Sequence, residues 1–131
     1  MIETNLVELL LADATVTSII ADRLYPVLLP DESPLPAVTY QVISTTPLYA
    51  LDGRINLTRY RIQIDVWAAW PNYAQAKTLA EAIRVVLDGY SGPQTDGSRI
   101  DSIIQAGATD LFEPGALLHR VMAEYIIQFA A

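Results

Sequence analysis

His119 is the one side chain here whose ordinary pKa lies near neutrality, which makes it the first candidate for a general acid or base. It stands beside Arg120 at the head of LHRVMAEYIIQFA with no nucleophile near it in sequence. A lone imidazole supplies no catalytic constellation, so it reads as a polar residue at a strand end. Two carboxylate pairs offer acid–base chemistry on paper. Asp31-Glu32 lies in a proline loop, and Asp110 and Glu113 flank a turn. Charges in such places are by default solvated. Gly89, Gly92 and Gly97 follow a helix rather than link a strand to one, the wrong context for cradling phosphate. The chain has no cysteine, so thiolate metal sites and cysteine nucleophiles are excluded. No catalysis, metal or cofactor is expected.

A different set of residues asks for an explanation. In RYRIQIDVWAAW, Tyr60, Ile62, Ile64, Val66 and Ala68 alternate with Arg59, Arg61, Gln63, Asp65 and Trp67. Period-two alternation marks a strand buried on one face. The polar face could be solvated, with cross-strand charge pairs worth a few tenths of a kcal/mol each. It could instead be a subunit interface, where arginine and aromatics are enriched and lysine is depleted. Seven arginines against the single Lys77 lean that way. Upstream, PLYALDGR places Leu48, Tyr49, Leu51 and Arg54 at what should be an exposed hairpin tip. Large apolar residues there suit a partner better than water. The candidate interface is therefore Leu48, Tyr49, Leu51, Arg54, Arg59, Arg61, Asp65 and Trp67.

The elements that must hold these residues follow from periodicity. Ile2, Leu6, Leu9 and Leu10 form a helical stripe over Ile2–Ala12, and a short turn is expected at Val16–Ile20. Prolines 26, 30, 34 and 36 forbid helix, leaving a short edge strand at Arg23–Leu28 and a loop over Asp31–Pro36. Strands are expected at Ala37–Ser44 and Asn56–Ala68, antiparallel to each other and joined through Thr45–Ile55. Asn72 is the expected cap of a helix running to Asp88, with Gly89 as its stop. Arg99–Gly107 reads as a strand, Ala108–Ala116 as a loop, and Leu118–Phe129 as a final alternating strand. The result is a single α+β domain over residues 1–131: a mainly antiparallel sheet of four to five strands, two main helices on one face, the other face uncovered.

Composition narrows the partners. The net charge of −7 comes from fifteen acids among which the basic residues are scattered, so sequence-specific nucleic-acid binding is not expected. No apolar run approaches the ~20 residues that span a bilayer. The N-terminus MIETNLVELLLADATV has no basic segment before its apolar run, so a secretory signal is not expected and the host cytoplasm is the expected site of synthesis.

The succession RLYPVLLP, SPLPAVTYQVIS, RYRIQIDVWA, AQAKTLAEAIRVVLDGYSG and HRVMAEYIIQF resembles the tail-completion proteins of long-tailed bacteriophages and prophages, a head–tail joining, tail-terminator-like family. The likeness spans nearly the whole chain. Gln63–Ala68 leading into the helix, Leu87-Asp88-Gly89 closing it and Tyr125-Ile126-Ile127 are its most telling pieces. The resemblance implies a virion protein of the tail and neck region. Such a protein forms a ring, typically a hexamer, that caps the tail tube and receives the head, with the tube protein and head–tail connector proteins as partners. It supplies no residue-level motif for the interface candidates. Acidity would suit a ring lumen through which DNA slides without sticking. Two other readings stay open on the residues alone: a cytoplasmic α+β ligand-binding domain, and a dimeric adaptor pairing through an edge strand.

Overall fold

The computed structural model describes residues 1–131, except the side chain of Arg54, so that candidate interface residue lies outside the described side chains. The chain begins with α1 (Ile2–Leu11), which buries Ile2, Leu6 and Leu10 as its periodicity demands. The turn expected next is a true helix, α2 (Ala14–Ile20). Asp13 explains the difference. Its carboxylate accepts the Val16 N–H at 3.0 Å and satisfies one of the free donors of the first turn. Arg23 then donates to the carbonyls of Pro36 and Ile19, fastening the end of α2 to the start of the next long strand.

Six strands form one sheet: β1 (Leu24–Pro26), β2 (Ala37–Ala50), β3 (Gly53–Ala69), β4 (Gly92–Pro93), β5 (Arg99–Glu113) and β6 (Leu118–Ala130). Their spatial order is β1-β2-β3-β6-β5-β4, with β1 parallel to β2 and every other pair antiparallel. The α+β class is as expected, but there are six strands and three helices rather than four to five and two.

Two segments expected as connections are strand. Thr45–Ile55 is nearly all ladder: Thr45 pairs with Tyr60, Pro47 with Thr58 and Ala50 with Gly53. Only Leu51 and Asp52 turn the chain, and Gly53 follows at φ 133°, a backbone conformation L side chains rarely adopt. Pro47 is tolerated because β1 covers only Val38–Tyr40 of this edge, so no neighbour asks for its missing N–H. Likewise Ala108–Glu113 stays paired with β6 as far as Glu113 opposite Leu118. Gly107 and Pro114 hide that strand from composition, since pairing to a partner strand is what keeps it extended.

The core is a single layer. Ile62, Ile64, Val66 and Ala68 of β3, and Val121, Ala123, Tyr125, Ile127 and Phe129 of β6, face α3 (Tyr73–Leu87) with Val38, Ile100 and Ile103 beside them. Ala76, Leu79, Ile83 and Leu87 supply the helix side. The expected cap does not form: Asn72 makes no side-chain bond to the helix. The N-terminal turn is held instead by Asp110 on β5, which accepts from the Tyr73 hydroxyl and from Lys77 Nζ at 3.1 Å. Asp110 is thus an exposed strand residue that anchors a helix, not a loop residue. Its carboxyl is held below the usual range, first by the Tyr73 hydroxyl and then by Lys77. At the other end Gly89 donates to the Ile103 carbonyl at 2.8 Å and Asp88 accepts from the Gln105 N–H at 3.0 Å.

Tyr125 should make the fold alkali-sensitive. Burial, and then the nearby Asp88 carboxylate, push its hydroxyl up to about 12. A raised folded-state pKa means full stability below the unfolded value near 10, lost as pH rises from there to about 12. The loss should reach roughly 2–3 kcal/mol. Denaturant melts at stepped pH should show it, and Tyr125→Phe should remove most of it.

Candidate functional site

The outer sheet face carries the polar half of β3. Cross-strand register sets Arg61 opposite Ile126, Gln63 opposite Glu124, Asp65 opposite Met122 and Trp67 opposite Arg120. Side chains one step along the diagonal then meet. Arg61 pairs with Glu124, both about one-third exposed. Arg120 Nη2 donates to Asp65 Oδ2 at 3.1 Å, and Gln63 Nε2 donates to the same oxygen at 2.9 Å. The Arg120 guanidinium lies 4.9 Å from the Trp67 ring centroid, close enough for cation–π attraction. The indole N–H of Trp67 in turn donates to Thr39 Oγ1 at 3.0 Å. Asp65 is 7% exposed and Thr39 2%. This end of the face is an internally bonded network in which, among the described side chains, buried Arg120 Nε lacks a partner.

It is also roofed. Because β1 and β2 are parallel neighbours, the chain must return from the end of β1 to the start of β2. Helices occupy the inner face, so residues 27–35 return over the outer one and enclose with it a groove of about 620 Å³. Val27 and Leu28 on this loop are well exposed, at 64% and 76%. Val27 has φ 64°, costly for a β-branched residue. Val27→Gly should therefore stabilise the fold. Relief of roughly 1–2 kcal/mol of left-handed strain exceeds roughly 0.5–1 kcal/mol of added chain entropy. An upward shift of Tm by a few degrees is the expected readout; a downward shift would show that Val27 packs usefully.

The other candidates lie at the far end of the sheet. Strand β6 pairs with β3 only from Thr58 onward, so the β2–β3 ribbon before it stands clear of the layer. Its tip bears Tyr49 at 68% exposure and Leu51 fully exposed, with Ile55 at 40% and Leu48 half-buried. Arg59 sits exposed at the ribbon's base and, among the described side chains, has neither ion pair nor hydrogen bond. The eight candidates thus divide. Asp65 and Trp67 are tied into their own chain, Arg61 is paired, Leu48 is half-buried, Tyr49, Leu51 and Arg59 are free of partners among the described side chains, and the Arg54 side chain lies outside the description.

A second apolar surface lies at the opposite pole, where Trp70, Phe112 and Leu117 are about half exposed. His119 sits between Tyr73 and Phe112, its ring tilted against both with centroids 5.4 and 5.1 Å away. LFEPGALL held the signal for this patch: apolar residues flanking Pro114-Gly115, the same argument that applies to PLYALD. Among the described residues no three His, Asp or Glu side chains gather as metal ligands, and no helix is long and apolar enough to cross a membrane.

A small, sheet-based domain with apolar surface at both poles suits assembly, and comparison with known proteins gives the family. The family model described as tail completion protein gp17 matches residues 4–129. The chain belongs to that family. No curated protein matches the sequence. Among solved structures, a chain of the virion of the native gene transfer agent (GTA) particle superposes with a TM-score of 0.83 at 16% identity, covering 98% of this chain and 94% of that one. At that identity the match speaks for the fold alone. As a tail completion protein, this chain is a structural component of the tail region of a bacteriophage-type virion.

Proposed function

We propose that this tail completion protein acts without catalysis, as one subunit of a hexameric ring that caps the tail tube and presents the surface on which the head docks. The observation that carries the reading is the β2–β3 ribbon: it leaves its own layer and exposes Tyr49 and Leu51 to nothing in its own chain. A two-stranded ribbon is marginally stable alone and gains most from burial against a neighbour. The apolar patch of Trp70, Phe112 and Leu117 at the other pole supplies a second, unlike surface. Two unlike surfaces support heterologous contacts, which close into rings when the rotation between subunits allows. Leu48, Tyr49, Leu51 and Arg59 are the proposed interface, with Arg61 at its margin; tube and connector proteins are the proposed neighbours. The acids would line a channel that DNA passes without adhering.

Disruption of the gene tests the reading. Negative-stain images should show filled heads and tails that are separate, with tails of abnormal length, and a plasmid copy should restore joining. Normal joined particles in the disrupted strain would refute it.

A further inference from the structure

The groove beneath the 27–35 loop and the β2–β3 tip lie at opposite ends of one sheet. Ten to fourteen residues of β3 separate Gly53 from Gln63 and Trp67, a span on the order of 30–45 Å, so the tip cannot reach the groove of its own chain. We propose that the tip of one copy seats in the groove of the next, with Tyr49 and Leu51 entering between Leu28 on the loop and the sheet floor at Trp67. This rests on the ring reading above and names its contact.

Three observations carry it. The groove holds about 620 Å³, within the range of roughly 300–1,000 Å³ that accommodates a ligand larger than two side chains. Its floor of Gln63, Asp65, Trp67 and Arg120 is tied together by internal hydrogen bonds, Arg120 Nε alone among these groups being buried without a partner, so it offers a largely fixed surface. The charges also match. Asp31 and Glu32 on the loop are exposed and Arg59 at the ribbon's base is exposed, and among the described side chains none of the three forms an ion pair. A second copy is the occupant favoured because one repeated contact covers tip and groove together. Any other single partner would leave one of the two bare on every subunit, and a contact between unlike surfaces can close into a ring.

The absence of native cysteine makes cross-linking clean. In particles carrying Leu51→Cys with Leu28→Cys, mild oxidation should give a ladder of covalent multimers on a non-reducing gel that thiol reagents collapse. Neither single variant should give a ladder. Several copies per particle without a ladder, or a product from Leu51→Cys alone, would overturn this contact while leaving the ring intact. One copy per particle, or none, would overturn the ring and the contact together. If the double variant fails to assemble, charge reversal decides. Arg59→Glu should lower joined-particle yield about tenfold and Glu32→Arg should restore it; no restoration would overturn the proposal.

Discussion

Tyr49→Asp combined with Leu51→Asp is expected to abolish head–tail joining while leaving the isolated protein folded. Both side chains are largely in water in the single chain, so replacing them should change stability by no more than about 0.5 kcal/mol each. In an assembly they would be central anchors of a desolvated contact. Truncating such anchors costs about 2–4 kcal/mol, and adding a charge costs more because the carboxylate must be dehydrated. At 1.4 kcal/mol per tenfold, each subunit contact should weaken by roughly 30- to 1,000-fold, and every contact of a ring is affected together. Thermal melts of the purified variant alongside counts of joined particles would check it. Wild-type joining would remove the tip from the interface. A large fall in Tm would mean that the ribbon is held by its own chain after all.

The second large effect concerns the roofed end of the outer face. Arg120→Leu should cost about 3–5 kcal/mol in urea unfolding, because it strands the Asp65 carboxylate at 7% exposure with Gln63 as its remaining partner. Lost cation–π contact with Trp67 adds to it. Against a typical total of about 5–15 kcal/mol that is a severe loss. Removing both charges, with Asp65→Leu and Arg120→Leu, should recover most of it, since a buried pair replaced by apolar groups of similar size is often neutral. A single-variant cost under about 1 kcal/mol would show that water in the groove solvates Asp65.

The two predictions assign different work to the tip of the β2–β3 ribbon and to the far end of β3. In RYRIQIDVWAAW the alternation correctly gives the buried residues, Ile62, Ile64, Val66 and Ala68. It cannot say what lies on the polar face. Asp65 meets Arg120, 55 positions away, and Trp67 meets Thr39, 28 away. Such pairings depend on register between strands, which no local pattern encodes. For the same reason Asp110 reads as a loop charge from its neighbours in sequence, yet it anchors α3 once β5 is paired with β6.

Local chemistry was enough for α1, α3, β3 and β6, because each repeats its apolar residues at the period of its own backbone, and for the α+β class that their order implies. The length of β2 and β5, the return of residues 27–35 across the outer face, and the freedom of Tyr49, Leu51 and Arg59 were decided only by the tertiary structure. Strand extension and surface freedom both depend on what a distant segment covers. The helices claimed the inner face, the crossover loop took one end of the outer face, and the ribbon was left with nothing of its own chain to rest against.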